Sequence, residues 1–142
     1  MFLESYMTPN KAGWVEVICG SMFSGKTEEL IRRLNRAIIA KQAVCVFKPT
    51  IDVRYDKNKV VSHNQNAMNS ITVSQAHQIL ELAKDYEVIG IDEAQFFDKE
   101  LVKIVLELAR NGKRVVLAGL DMDFEAKPFG VMPDLMALAE FV

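Results

Sequence analysis

The strongest constraint on this chain is a spacing: Gly20, four intervening residues, then Gly25, Lys26 and Thr27. Before it lies Trp14 to Cys19, an apolar run interrupted only by Glu16, which reads as a strand. After it, Leu30, Ile31, Leu34, Ile38 and Ile39 recur at helical spacing from Thr27 to Ala40, with Arg32, Arg33 and Arg36 on the other face. A glycine-bounded turn between a strand and a helix has a specific use. The glycines let the backbone curl around an anion without a clashing Cβ. The curled N–H groups and the helix N-terminus then supply partial positive charge. Gly20, Ser21, Met22, Phe23, Ser24, Gly25, Lys26 and Thr27 are therefore the expected cradle for the phosphates of ATP. Lys26 would bridge the β- and γ-phosphates, and the Thr27 hydroxyl would ligate Mg²⁺.

The rest of the chain repeats the strand-helix alternation. Ala43 to Phe47, Val88 to Ile91 and Arg114 to Ala118 read as buried strands, and Ile71 to Val73 as a short one. Ser74 is expected to cap a helix to about Lys84. A helix from Lys99 to Asn111 should be capped by Asp98 and closed by Gly112, and Asp134 to Glu140 forms a last short helix. Met1 to Gly13 reads as a flexible arm, rich in breakers. Pro49 to Asn69 is a long polar loop, and Leu120 to Pro133 is irregular. Continuous apolar strands alternating with helices predict an α/β fold: a P-loop (RecA-like) parallel sheet with helices on both faces. Residues 14–142 form its nucleotide-binding domain.

Composition narrows the partners. The formal net charge is -2, with no Lys/Arg cluster, which argues against nucleic acid. No signal peptide or membrane-length apolar run is present, so no membrane partner is expected and the expected location is cytoplasmic. Cys19 and Cys45 both lie in apolar runs and read as buried, inert thiols.

A second acidic site follows the strand Val88 to Ile91. Asp92-Glu93-Ala94-Gln95, expected together as nucleotide-binding residues, leaves the strand end, where a phosphate-loop protein needs a carboxylate for Mg²⁺. Asp92 fits, although Asp is also an ordinary turn residue. Glu93 can accept a proton from an attacking group. Water as attacker makes an ATPase; a substrate hydroxyl makes a kinase. The pair does not decide between them, and the same four residues also look like the box of a helicase motor.

The chain resembles the type II, cytosolic-type thymidine kinases from about Trp14 to Val142. The resemblance rests on Gly20 to Thr27; on Phe47-Lys48-Pro49 with Asp52-Val53-Arg54-Tyr55 and Ser62-His63; on Ile91 to Phe97; and on Gly119-Leu120-Asp121 with Phe124 and Lys127-Pro128-Phe129-Gly130. The resemblance implies transfer of the ATP γ-phosphoryl group to the 5′-hydroxyl of thymidine. Glu93 would be the base, Asp92 the Mg²⁺ carboxylate, and Asp52 and Arg54 polar groups near the phosphates. Met22, Phe96, Leu120, Phe124 and Phe129 would surround the nucleoside. On their own residues the readings stay open: Phe96, Phe97, Phe124 and Phe129 suit a core as well as a base site. Arg54 suits a solvated surface, His63 suits a structural role, and His77 suits the surface.

The resemblance further implies a homotetramer, dTTP as feedback inhibitor, and deoxyuridine as an open question. It also implies a structural zinc module and a closing loop after the equivalent of Val142, whose ligands are not in this sequence. Ala139 to Val142 would only begin the next strand. These 142 residues are accordingly expected to bind nucleotide and to phosphorylate thymidine poorly or not at all. The alternatives are a P-loop ATPase or motor fragment, and a non-catalytic nucleotide-binding module.

Overall fold

The computed structural model describes residues 12–20, 25–50, 69–121 and 130–142. The elements in chain order are β1 (Trp14–Gly20), α1 (Lys26–Ile39), β2 (Val44–Pro49), β3 (Asn69–Val73), α2 (Gln78–Leu82), β4 (Val88–Ile91), a 3-10 turn (Ala94–Phe96), α3 (Glu100–Arg110), β5 (Arg114–Leu120) and α4 (Met132–Leu138). The strands form one five-stranded sheet in the order β1-β5-β4-β2-β3, and every pairing is parallel. The apolar runs of the sequence thus form the expected parallel sheet.

Alternate residues of each strand feed two separate cores, as the pleat requires. On one face Val44, Val46, Val88, Val116 and Ala118 pack with Leu30, Leu34 and Ala37 of α1. On the other, Val15, Val17, Cys45, Phe47, Ile89, Ile91, Val115 and Leu117 meet the buried residues of α2, α3 and α4. Gly90 sets how closely α1 approaches, since a Cβ there would lie 2.6 Å from Leu34 Cδ1. The Cys45 thiol is fully buried and pushed up to about 12 by that burial, so it stays protonated; Cys19 is half-buried, and both are free.

Glu16, which interrupts the first apolar run, is only 6% exposed. It faces α1 and is closed in by donors: Arg114 Nε at 2.7 Å, Arg33 Nη1 at 2.9 Å and the Trp14 indole N–H at 2.7 Å. Burial acts to raise its pKa, but these hydrogen bonds and the Arg114 charge outweigh it and hold the carboxyl below its ordinary value.

Several local expectations are corrected. The helix after Ser74 begins only at Gln78, because Gln78 Oε1 accepts hydrogen bonds from both the Ser74 and Gln75 N–H groups at 2.9 Å. The capping runs backwards, from the helix side chain to the turn. The last helix starts at Met132, not Asp134, with Pro133 in its first turn, where its missing N–H is harmless. Ile39 does not join the apolar face of α1 and is 79% exposed. It lies two residues past buried Ala37, roughly 200° around the helix. Asp98 and Gly112 bound α3 as expected: Asp98 Oδ1 accepts from the Glu100 N–H at 3.1 Å, and Gly112 has φ 87°. Phe141 makes a single parallel bridge to Glu16, beside β1. His77 is exposed. Residues 1–11 of the arm, and His63 with most of the long polar loop, lie outside the described residues.

Candidate functional site

In a parallel sheet the C-terminal strand ends share one edge, and ligands bind there. Here Gly20 pairs with Leu120, and Ile91 lies beside Leu117. The two expected phosphate-site strands, β1 and β4, are thus separated by β5, and their exits still converge.

Gly25 begins α1 in the left-handed region, φ 87° and ψ 19°, which glycine adopts without a Cβ penalty. Lys26 and Thr27 form the first turn of the helix. The Thr27 hydroxyl donates to the Asp92 carboxylate, at 3.3 Å to Oδ2 and 3.5 Å to Oδ1. Residues 27 and 92, far apart in sequence, therefore meet at one point.

Asp92 is 4% exposed. Its N–H donates to the Phe47 carbonyl at 2.9 Å, so the sheet ladder holds its backbone. Its Oδ1 accepts from the Glu93 N–H at 2.9 Å, and Lys48 Nζ lies 3.9 Å from Oδ2. Burial pushes the carboxyl above its ordinary value; the Lys48 charge opposes this, and the neighbouring Glu93 adds to it. Asp92 is a buried acid whose partners do not fully offset its desolvation. A nearby cation would complete it.

Glu93 sits at φ 54° and ψ 42°, a left-handed conformation that disfavours a residue with a Cβ by about 1–2 kcal/mol. It turns the chain off β4 into the 3-10 turn and leaves its side chain partly exposed. Gln95 Nε2 donates to Glu93 Oε1 at 3.0 Å. Gln95 is itself 4% exposed, and its Oε1 accepts from the Leu120 N–H at 3.1 Å.

Of the expected site residues, the structure brings Thr27, Asp92, Glu93 and Gln95 into one bonded set, with Gly25 and Lys26 at the same helix end and Gly20 and Leu120 at adjoining strand ends. Ala94 is fully buried in the core. Phe96 is 46% exposed while Phe97 is buried, which resolves the ambiguity between them in favour of Phe97 as core. Ser21, Met22, Phe23, Ser24, Asp52, Arg54, Phe124 and Phe129 lie outside the described residues. Lys48 was given no role from the sequence, yet it faces Asp92. Register between strands places it there: Phe47 pairs with Ile91, so the next residue of β2 stands beside Asp92.

Chemically, a hydroxyl and a carboxylate about 3.3 Å apart at a helix N-terminus are hard oxygen donors suited to Mg²⁺. Among the described residues no three His, Cys, Asp or Glu side chains form a cage for an ion such as zinc. Mg²⁺ needs none, because it commonly takes one or two carboxylates and completes its shell with phosphate and water. A second carboxylate stands beside that set, partly open to solvent. No helix among the described residues is long and apolar enough to cross a membrane.

Comparison with known proteins shows the family of the chain. The model of the family described as "Thymidine kinase" matches residues 13–142. A thymidine kinase of Porphyromonas gingivalis is 60% identical over 132 residues, covering 93% of this chain and 65% of that protein. One of Rhodothermus sp. is 60% identical over 130 residues, covering 92% of this chain and 61% of that protein. The chain thus spans less than two thirds of the length of these curated relatives. Among solved structures, the flagellar accessory protein FlaH from Methanocaldococcus jannaschii superposes with a TM-score of 0.62 at 14% identity, covering 90% of this chain and 69% of that one. That likeness concerns the fold alone, a parallel α/β sheet.

Proposed function

The chain belongs to the thymidine kinase family, and from this premise we propose that the protein transfers the γ-phosphoryl group of ATP to the 5′-hydroxyl of thymidine, giving dTMP. The observation that carries the proposal is the Thr27–Asp92 contact at the N-terminus of α1, with the Glu93 carboxylate directly beside it. A phosphoryl donor needs the first, and a hydroxyl acceptor needs the second.

The triphosphate lies in the loop Gly20, Ser21, Met22, Phe23, Ser24, Gly25, with the α1 N–H groups and Lys26 offsetting its charge. Mg²⁺, held by Thr27 and Asp92, would neutralise the phosphate oxygens as a Lewis acid. Glu93 accepts the proton of the 5′-hydroxyl as that oxygen attacks the γ-phosphorus. Arg54 offsets charge developing on the transferred group, and Asp52 orders the polar surroundings. Met22, Phe96, Leu120, Phe124 and Phe129 surround the nucleoside and supply apolar faces to the base. Ala94 and Gln95 support the acidic turn from within. The same reading includes a homotetramer, a cytoplasmic location, inhibition by dTTP, and deoxyuridine as the acceptor to compare with thymidine.

The test is product formation. In a protein that carries these residues at the full length of the relatives, ATP and thymidine together should give dTMP and ADP, while ATP alone should give little ADP; the 142 residues by themselves should bind ATP and give little dTMP. Thymidine-independent hydrolysis at the same rate would overturn the proposal. Glu93→Gln should retain ATP binding and lose turnover by roughly two to four orders of magnitude. Turnover equal to the parent protein would remove Glu93 from the role of base.

A further inference from the structure

The side chain of Gln95 is buried in a place where its amide has only one way to lie. Its Oε1 is 3.1 Å from the Leu120 N–H, a group that can only donate. The oxygen must therefore face β5, and the NH₂ must face the other way. There it donates to Glu93 Oε1 at 3.0 Å. The room for this arrangement comes from Gly119: a Cβ there would lie 2.8 Å from Gln95 Oε1 and 2.8 Å from Met132 Sδ. A backbone N–H on one strand thus fixes an amide, and the amide fixes a carboxylate on the turn leaving another strand.

We propose that Gln95 is a positioning residue, which holds the Glu93 carboxylate in its reactive orientation by a relay anchored on the Leu120 N–H. The inference rests on the reading of Glu93 as the base. Glu93 is partly exposed on a strained turn, and its side chain has rotamers to choose from. One neutral donor on one carboxylate oxygen selects among them and leaves the other oxygen to accept the substrate proton. Because the anchor is the exit of β5, movement of that strand end is transmitted to the base.

Two variants separate this from a structural role. Gln95→Met removes both hydrogen bonds. Gln95→Glu keeps an acceptor for the Leu120 N–H and removes the donor to Glu93. Each should lower kcat for dTMP formation by about tenfold or more, because a misplaced base loses near-attack geometry, while KM for ATP changes by less than about twofold. In a Glu93→Gln background, adding Gln95→Met should change turnover by less than about twofold, since the two residues act through one group. Gly119→Ala, which displaces the amide from behind, should show the same suppression. If Gln95→Met does not fold, as read by melting and ATP binding, Gln95→Glu and Gly119→Ala carry the test. Parental turnover in Gln95→Glu, or an equal fold-loss from Gln95→Met with and without Glu93, would overturn the inference. Parental turnover in Glu93→Gln would instead overturn the assignment of the base, so the two failures are distinguishable.

Discussion

Glu16 and Asp92 are buried almost equally, at 6% and 4% exposure, yet their carboxyls shift in opposite directions. Glu16 lies toward the start of β1, with two guanidinium groups and an indole N–H closing around it. Asp92 lies at the opposite, C-terminal edge, with a threonine hydroxyl, one backbone N–H and a lysine at 3.9 Å. The first acid is satisfied by the protein itself and stays charged. The second has been taken out of water with less in return. The contrast separates a carboxylate whose partners outweigh its burial from one whose partners do not, and burial alone could not have told them apart.

The contrast is broken most sharply by exchanging each acid for its amide. Asp92→Asn should reduce turnover by about a hundredfold or more, since a neutral oxygen is a poor ligand for Mg²⁺. The same change should leave the melting temperature level or raise it, because the variant no longer buries a charge. Steady-state kinetics and a thermal melt on one sample check both halves. A lower melting point with intact turnover would reverse the assignment. Glu16→Gln should do the opposite: a loss of about 2–3 kcal/mol in unfolding free energy, with turnover per folded molecule unchanged. That figure is set below the usual loss for breaking a fully buried pair, because Arg33 and Arg114 are 28% and 24% exposed and partly screened by water. Denaturant titration measures it.

Acid titration sharpens the comparison with a smaller effect. The folded Glu16 carboxyl lies below its ordinary 4.5, so folding favours its charged form. The resulting stabilisation is fully present above about 4.5 and is lost as pH falls through the lowered folded value. The stability gap between the parent and Glu16→Gln should therefore be constant near neutrality and should close in acid. A gap that stays constant below pH 4.5 would show that the charge of Glu16 is not what joins β1, α1 and β5.

These two acids also mark what the sequence could and could not reveal. The position of Asp92, at a strand exit beside the N-terminus of α1, was legible because it follows an apolar strand in a chain that also carries the Gly20 to Thr27 spacing. The parallel sheet was legible for a similar reason, since Val88 to Ile91 or Val44 to Phe47 can only be so apolar if covered on both faces. Glu16 looked like a blemish in a strand, because its partners Arg33 and Arg114 come from a helix and a strand that only tertiary packing brings to it. Lys48 was opaque for the same reason, being a matter of register between β2 and β4. Local rules failed where two local rules competed. Ser74 has the chemistry of a cap, but the longer Gln78 side chain reached the turn first. Ile39 has the chemistry of a core residue, but the helix turns it outward at its last position.

The sheet order has a consequence for how the molecule comes into being. β5 is the last of the five strands to leave the ribosome, and it is inserted between β1 and β4, which are made much earlier. Neither of those strands pairs with the other. Thr27 and Asp92 cannot be held in register until residues 114–120 have been synthesised and threaded into the gap, a step with high sequence separation and a correspondingly slow search. A nascent chain stopped short of β5 carries every residue of the acidic turn and of the phosphate loop, and holds them apart.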